Sequence, residues 1–272
     1  MELVRRMAVA GMFYPNNCRK INAMIDQFNQ RFNRLHIDAA TKAIIPKAVI
    51  VPHAGYIYSG YTANFAYRFL QHGKAKRLIV IGPSHKHYFK GISGSFFEKY
   101  ETPCGDLNID TAYLFALAKR FNIGFVPKAH EKEHSTEVQM PFIQHYFPKK
   151  EVIELIYGDI SLESLTNIVT ALLKSPDNAV IISSDLSHFH PLQEAEHLDR
   201  HCLLGVENLN VEALRSCEAC GIIGIQALIL AAKHLRLSSK LLDYTTSANT
   251  SGDRNSVVGY MSAMFYQKNS SS

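Results

Sequence analysis

The chain alternates short, unbroken apolar runs with longer stretches in which apolar residues recur every three or four positions. The runs Ala48-Val-Ile-Val51, Leu78-Ile-Val-Ile81, Val152-Ile-Glu-Leu-Ile156 and Ala179-Val-Ile-Ile182 are rich in β-branched residues and end in small or polar ones. Such runs predict strands buried on both faces, as in a parallel sheet. Helical spacing over Thr62 to Leu70, Asp110 to Phe121, Thr136 to Phe147, Leu162 to Leu173 and Pro191 to Leu204 puts helices between them. The alternation predicts an α/β fold: a single three-layer α/β/α domain over residues 1–272, with a central mixed, mostly parallel sheet. In the last third, Ile222 to Leu235 reads as an apolar helix, and Leu241 to Thr245 with Ser256 to Phe265 reads as a close strand pair that makes the sheet mixed. The terminal Asn269-Ser-Ser-Ser272 is expected to fray.

Composition agrees with this reading and removes several function classes. A chain of 272 residues, 47% apolar and 19% charged, has ample material for a buried core. The net charge of +5 is spread along the chain, with short pairs such as Arg5-Arg6 and Lys149-Lys150 but no basic block, so nucleic acid is not an implied partner. No apolar run reaches membrane-spanning length, and the N-terminal segment lacks the form of a targeting peptide, so no membrane role is expected. Five cysteines leave one unpaired in any disulfide scheme and are sparse for a secreted scaffold, which fits a reducing cytoplasm. No Gly-x-Gly-x-x-Gly, P-loop or Gly-x-Ser-x-Gly occurs, so neither a nucleotide cofactor nor a nucleophile elbow is supported.

Thirteen histidines direct attention to the ends of the strands. Ligands of open α/β sheets bind beyond the strands' carboxyl ends. There the chain places His53 after the first run, His85 and His87 after the second, and Asp185 and His188 after the fourth. His53 and His85 directly follow buried strands and are flanked by Gly or Pro, which makes them the preferred metal ligands, with His87 a supporting or solvent residue. The i, i+3 spacing of Asp185 and His188 suits a carboxylate that orients an imidazole for acid/base work, although Asp185 or Ser187 is equally placed to cap a helix. Around Glu131-Lys-Glu-His134-Ser-Thr-Glu137, Thr136 and Gln139 have capping-box spacing; the functional alternative places His134 and Glu137 in the pocket. Tyr56, Tyr58, Ser84 and Cys220 complete the candidate set as substrate contacts. Cys217-Glu-Ala-Cys220 lacks the further ligands of a zinc site, whereas Cys220 beside a helix start is placed for a thiol of lowered pKa.

The motifs Ala8-Val-Ala-Gly-Met-Phe-Tyr-Pro15, Val51-Pro-His-Ala-Gly-Tyr-Ile-Tyr-Ser-Gly60 and Ile81-Gly-Pro-Ser-His85 occur in order with Thr102-Pro103, Gly105-Asp-Leu-Asn-Ile-Asp110 and His134-Ser-Thr-Glu137 to Pro141-Phe142. Ser183-Ser-Asp185 to His188, Cys220-Gly221 and Ser256-Val-Val-Gly-Tyr260 follow. Together they resemble the Memo family, also called AmmeMemoRadiSam system protein B in bacteria. The likeness runs over nearly the whole chain and implies a LigB-like fold, similar to the catalytic subunit of class III extradiol dioxygenases, which open catechol rings with non-haem Fe(II).

By that resemblance His53 and His85 match two metal ligands, and Asp185 and His188 match the acid/base corner. Counting back from Val258-Gly259-Tyr260 puts Thr250, a poor ligand, where the dioxygenases have a glutamate and animal members a cysteine, so either Asp253 or a water completes the site or metal binding is weak. The resemblance further implies phosphotyrosine-peptide signalling in animal members and AMMECR-type and radical-SAM partners in microbial ones.

Three functions follow as expectations. The first is a metal-dependent, dioxygenase-like oxidoreductase using Fe(II) before Cu or Zn on a phenolic or catechol-like molecule. The second is a non-catalytic module that binds a metal or a peptide with partner proteins. The third is metal-dependent hydrolysis with zinc and Glu137 as base.

Overall fold

The computed structural model describes residues 3–268; the Asn269–Ser272 tail expected to fray lies outside the described residues. In chain order the strands are β1 (Val4–Arg5), β2 (Pro46–Val51), β3 (Arg77–Pro83), β4 (Ile92–Gly94), β5 (Lys99–Tyr100), β6 (Leu107–Asn108), β7 (Glu151–Tyr157), β8 (Asn178–Ser183), β9 (His188–His190), β10 (Leu237–Thr246) and β11 (Val257–Gln267). The α-helices are α1 (Cys18–Asn33), α2 (Ala39–Lys42), α3 (Tyr56–Leu70), α4 (Thr111–Phe121), α5 (Pro127–Glu131), α6 (Met140–Tyr146), α7 (Leu162–Lys174), α8 (Leu192–Glu207), α9 (Ile222–His234) and α10 (Ala248–Ser251).

The main sheet has the order β10-β11-β2-β8-β3-β7-β4, with β9 pairing to β11. Its centre, β2-β8-β3-β7, is parallel and consists of the four apolar runs; β11 and β4 join it antiparallel. This is the expected three-layer α/β/α arrangement with a mixed sheet. Alternate residues of each run enter different cores, because a strand's side chains point to opposite faces in turn. Ile50, Ile79, Ile81 and Leu155 meet Leu165 and Val169 of α7 and Leu228 of α9 on one face. Val49, Val51, Val80 and Ile181 meet Ile21 and Ile25 of α1 and Tyr67 and Leu70 of α3 on the other. Each such fully buried aliphatic side chain contributes about 1.5–3 kcal/mol of transfer free energy.

The connections matter more for the site than the layers do. The crossover through α3 leads from β2 to β3, and β8 later inserts between those two strands. The registers Val51↔Ser183 and Ile81↔Ile182 then bring the ends of β2, β8 and β3 side by side, at a break in strand order where such sheets form clefts.

Two parts of the chain depart from the sequence expectation. Residues 18–33 form α1, whose apolar Ile21, Met24, Ile25, Phe28 and Phe32 have helical spacing amid mostly polar residues. Cys18–Cys104 and Cys202–Cys217 are disulfides, so the expectation of reduced thiols differs from the structure at four sulfurs, and Cys220 is the free cysteine. Among the described residues no helix is long and apolar enough to cross a membrane.

Candidate metal centre

His53 sits two residues beyond β2 and is almost wholly buried. Its Nδ1 lies 3.0 Å from Ser183 Oγ. The Ser183 hydroxyl donates to the carbonyl of Ser135 and accepts from Gln139 Nε2, so it meets His53 as an acceptor. Nδ1 therefore carries the proton and Nε2 has the free lone pair. Burial, followed by the neighbouring His85, His134 and His188, holds the His53 pKa well below the ordinary value, which keeps the ring neutral.

His85 follows β3 and is the more exposed of the two. Its Nδ1 lies 2.9 Å from Glu133 Oε1, and its backbone N–H donates to Glu133 Oε2 at 2.6 Å. Burial opposes ionisation of Glu133, but His85, through its hydrogen bond and charge, and the backbone N–H groups of Ser135 and His85 hold the carboxyl down at about 2. A carboxylate has only acceptors, so His85 also presents Nε2 outward. Sequence reasoning passed over Glu133; its position beside His134 gave no periodic signal.

Cys220 supplies a third donor. Its Sγ is 3.3 Å from His53 Nε2, and the ligand atoms of His53, His85 and Cys220 all lie within 4.8 Å of one another. Cys220 stands just before α9, held by its backbone N–H to the Asp185 carbonyl and by the Cys202–Cys217 disulfide three residues upstream. Gly221 makes the approach possible, since a Cβ there would come within 2.6 Å of Ser184 Cβ. The expectation of an acidified thiol is corrected: burial, reinforced by the charge of Asp185, pushes Cys220 up to about 12, and one helix N-terminus does not offset that. A neutral thiol against a neutral imidazole is a poor nucleophilic dyad. A divalent cation would convert the same pair into thiolate and ligand imidazole, so the donor set fits a metal.

Other candidate residues have different places. Thr250 is exposed and donates to the Ile57 carbonyl at 3.3 Å, and Asp253 is exposed and accepts from Asn255 N at 2.8 Å, so neither stands in this donor set. Asp185 is not the orienter of His188. Its Oδ1 accepts from the His53 N–H at 2.7 Å, and burial raises its pKa to about 7 against the N–H groups of His53 and Ala54, so it holds the turn after β2. His188 is held instead through its backbone N–H, which donates to Glu218 Oε1 at 3.2 Å; burial lowers the ring's pKa, and it lies within electrostatic reach of His85 and His53. His134 packs against both ligand rings, at 4.6 Å from His85 and 5.3 Å from His53, with Phe13 at 4.8 Å on it. Burial, then the charge of His85, brings its pKa down to about 4.

Glu137 does not face the pocket. It is fully buried, pairs with Arg5 at 2.9 Å, and accepts from Ala8 N, Val9 N and Tyr14 OH, which anchors the N-terminal segment. Thr136 makes no cap but donates to Glu154 Oε1, so the expected capping box is a 3₁₀ turn over Glu137–Gln139. Tyr56 is buried against Phe142, with its hydroxyl on the Val138 carbonyl, and Ser84 donates to the His87 carbonyl, so both shape the loops. Tyr58 is partly exposed and lines a cavity of about 500 Å³ with Arg31, Asp243 and Thr250, a cavity that does not include His53, His85 or Cys220.

A sequence profile described as Memo-like protein matches residues 5–264. A MEMO1 family protein of Aquifex aeolicus is 33% identical, covering 96% of this chain and 99% of its own length. Those of Nitrosopumilus maritimus and Thermoplasma volcanium are 30% and 31% identical, covering 97% and 96% of this chain and 100% and 97% of their own. With the fold, the ordered motifs and full-length relatives in agreement, the chain belongs to the Memo family.

Proposed function

We propose that the protein is a mononuclear, metal-dependent oxidoreductase of the dioxygenase-like kind, acting on a small phenolic or catechol-like molecule. The observation that carries this reading is the convergence of two imidazoles, each with Nδ1 anchored and Nε2 free, on one buried thiol. His53, His85 and Cys220 would hold the ion. Two imidazoles and a soft thiolate suit Cu and Zn as well as Fe(II). When bound, the metal would supply Lewis-acid chemistry and, as Fe or Cu, redox chemistry.

The chain's own residues perform the hydrogen bonding and the binding. His134 and His188, both held below the ordinary histidine pKa, are neutral at pH 7, so each can present a ring lone pair as a hydrogen-bond acceptor to a phenolic hydroxyl. Phe13, packed on His134, excludes water from that side and offers an apolar ring beside it to a flat ligand.

The test is metal content of anaerobically purified protein, followed by oxygen uptake with a catechol panel. Purified without added metal in a background carrying His197→Gln and His201→Gln, the protein retains one equivalent, His85→Ala and Cys220→Ser lose it, and Thr250→Glu leaves it unchanged. Wild type that neither retains nor takes up Fe(II), Cu or Zn refutes the reading.

A second reading, a non-catalytic module, draws on the rim. Met12, Ile57 and Phe189 are 73%, 60% and 74% exposed, and Phe189 is held at a φ of 64° beside His188. Bulky residues seldom adopt that conformation, which costs about 1–3 kcal/mol and clusters at binding sites. A protein partner, such as the AMMECR-type or radical-SAM proteins suggested by the resemblance, would cover this rim. Bound metal without oxygen uptake on any catechol would favour this reading.

A further inference from the structure

Helix α8 carries Glu194, His197 and His201 at i, i+3 and i+7, which places all three on one face. The opposite face is its buried side, with Ala195, Asp199, Cys202 and Val206. The rings of His197 and His201 are 5.3 Å apart, centroid to centroid, and perpendicular. Two imidazoles one helical turn apart are within chelating distance of a single ion once the exposed His197 and half-buried His201 rotate, and a carboxylate on the same face is a third donor.

The groups next to this face are also metal-binding types. Glu194 Oε1 is 3.2 Å from His190 Nδ1, and His190 Nε2 is 2.9 Å from Glu218 Oε2. The other oxygen of Glu218 accepts from the backbone N–H of His188 at 3.2 Å, and His188 lies within electrostatic reach of His85 and His53. Glu218 is itself two residues from Cys220. A series of imidazoles and carboxylates thus runs from the surface of α8 to the mouth of the buried donor set. The exposed salt bridges along it contribute little to stability, which leaves its composition without a structural explanation.

We propose that exposed Glu194 and His197 with half-buried His201 form a surface capture site for a divalent transition-metal ion of the Cu, Zn or Ni class, which passes along His190, Glu218 and His188 to His53, His85 and Cys220. The capture site stands on its own residues; its role as a source for the buried centre rests on the function proposed above. Imidazole and carboxylate exchange ligands readily, and each step replaces one or two donors with chemically similar ones.

Two measurements on metal-free full-length protein test this. In the first, Zn²⁺ alone is titrated into His85→Ala, whose buried donor set is incomplete. One equivalent binds there, and adding His197→Gln with His201→Gln weakens it by about a hundredfold or more, because the second ligand of a chelate acts at high effective concentration. Unchanged binding in the triple variant overturns the capture site. In the second, limiting Co²⁺ is mixed with wild type and with the His197→Gln/His201→Gln variant, following the thiolate-to-cobalt charge-transfer band that reports Cys220. The variant reaches the wild-type amplitude severalfold more slowly; equal rates overturn the transfer path. Absence of the band in wild type, with one Zn²⁺ still bound by His197 and His201 in His85→Ala, refutes the buried centre while upholding the capture site.

Discussion

Replacing Cys220 with serine removes the one donor whose binding to a metal requires loss of a tightly held proton, and the structure sets the size of the effect. Burial first, and then the charge of Asp185, moves the thiol from 9.0 to about 12. That displacement of about 3 pKa units disfavours the thiolate by about 4 kcal/mol in the metal-free protein. At pH 8 the thiol is then protonated by about 10⁴ to 1. His53 is already neutral, because burial holds its pKa well below the ordinary value. Metal binding at pH 8 should therefore release close to one proton from Cys220, about one per ion, and the apparent affinity should rise about tenfold per pH unit between 7 and 9. Calorimetric titration with Zn²⁺ in two buffers of different ionisation enthalpy, in a background carrying His197→Gln and His201→Gln so that only the buried centre binds, measures the released proton directly. Cys220→Ser should bind more weakly, release almost none, and show a flat pH profile over the same interval. Equal proton release by wild type and Cys220→Ser would refute the assignment of Cys220 as a ligand and, with it, the argument from burial.

Other perturbations reach the supports of the site. Glu133→Gln removes the carboxylate that orients His85 and should lower metal affinity about 10–100-fold in the same titration while the fold is retained, which near-ultraviolet dichroism would check. Glu137→Ala leaves the Arg5 guanidinium buried and unpaired, so denaturant unfolding should show a loss of about 3–5 kcal/mol. At Glu154 burial opposes ionisation, but the charge and hydrogen bond of His130, then Arg5 and Thr136, lower the carboxyl from 4.5 to about 2. A folded pKa below the unfolded one adds stability that is present above pH 4.5 and lost as pH falls towards 2; Glu154→Gln should flatten that limb of an acid-unfolding curve.

The parts legible in the sequence were those with a local cause. The runs ending at Val51, Ile81, Ile156 and Ile182 are too apolar for any place but a sheet covered on both sides, and they form its parallel centre. The apolar helix after Gly221 and the closing strand pair were visible for the same reason. His53 and His85 stood out because a loop after a buried strand opens onto the cleft. By contrast, α1 was obscured by its polar majority, and Glu137, read as a pocket base, is consumed by Arg5 from 132 residues upstream, a partner that no window on the sequence contains.

Periodicity and composition therefore determined which segments are strands and helices, that they layer as α/β/α, and which loops carry histidines, because burial pattern is a property of neighbouring residues. Only the tertiary structure decided that β8 lies between β2 and β3, that Glu133 fixes His85, that Cys202 takes Cys217, and that Cys220 is left to meet His53 across 167 residues. Those pairings depend on strand order and crossover, which are settled when distant elements share one core, and a donor set assembled that way has no signature in any single stretch of chain.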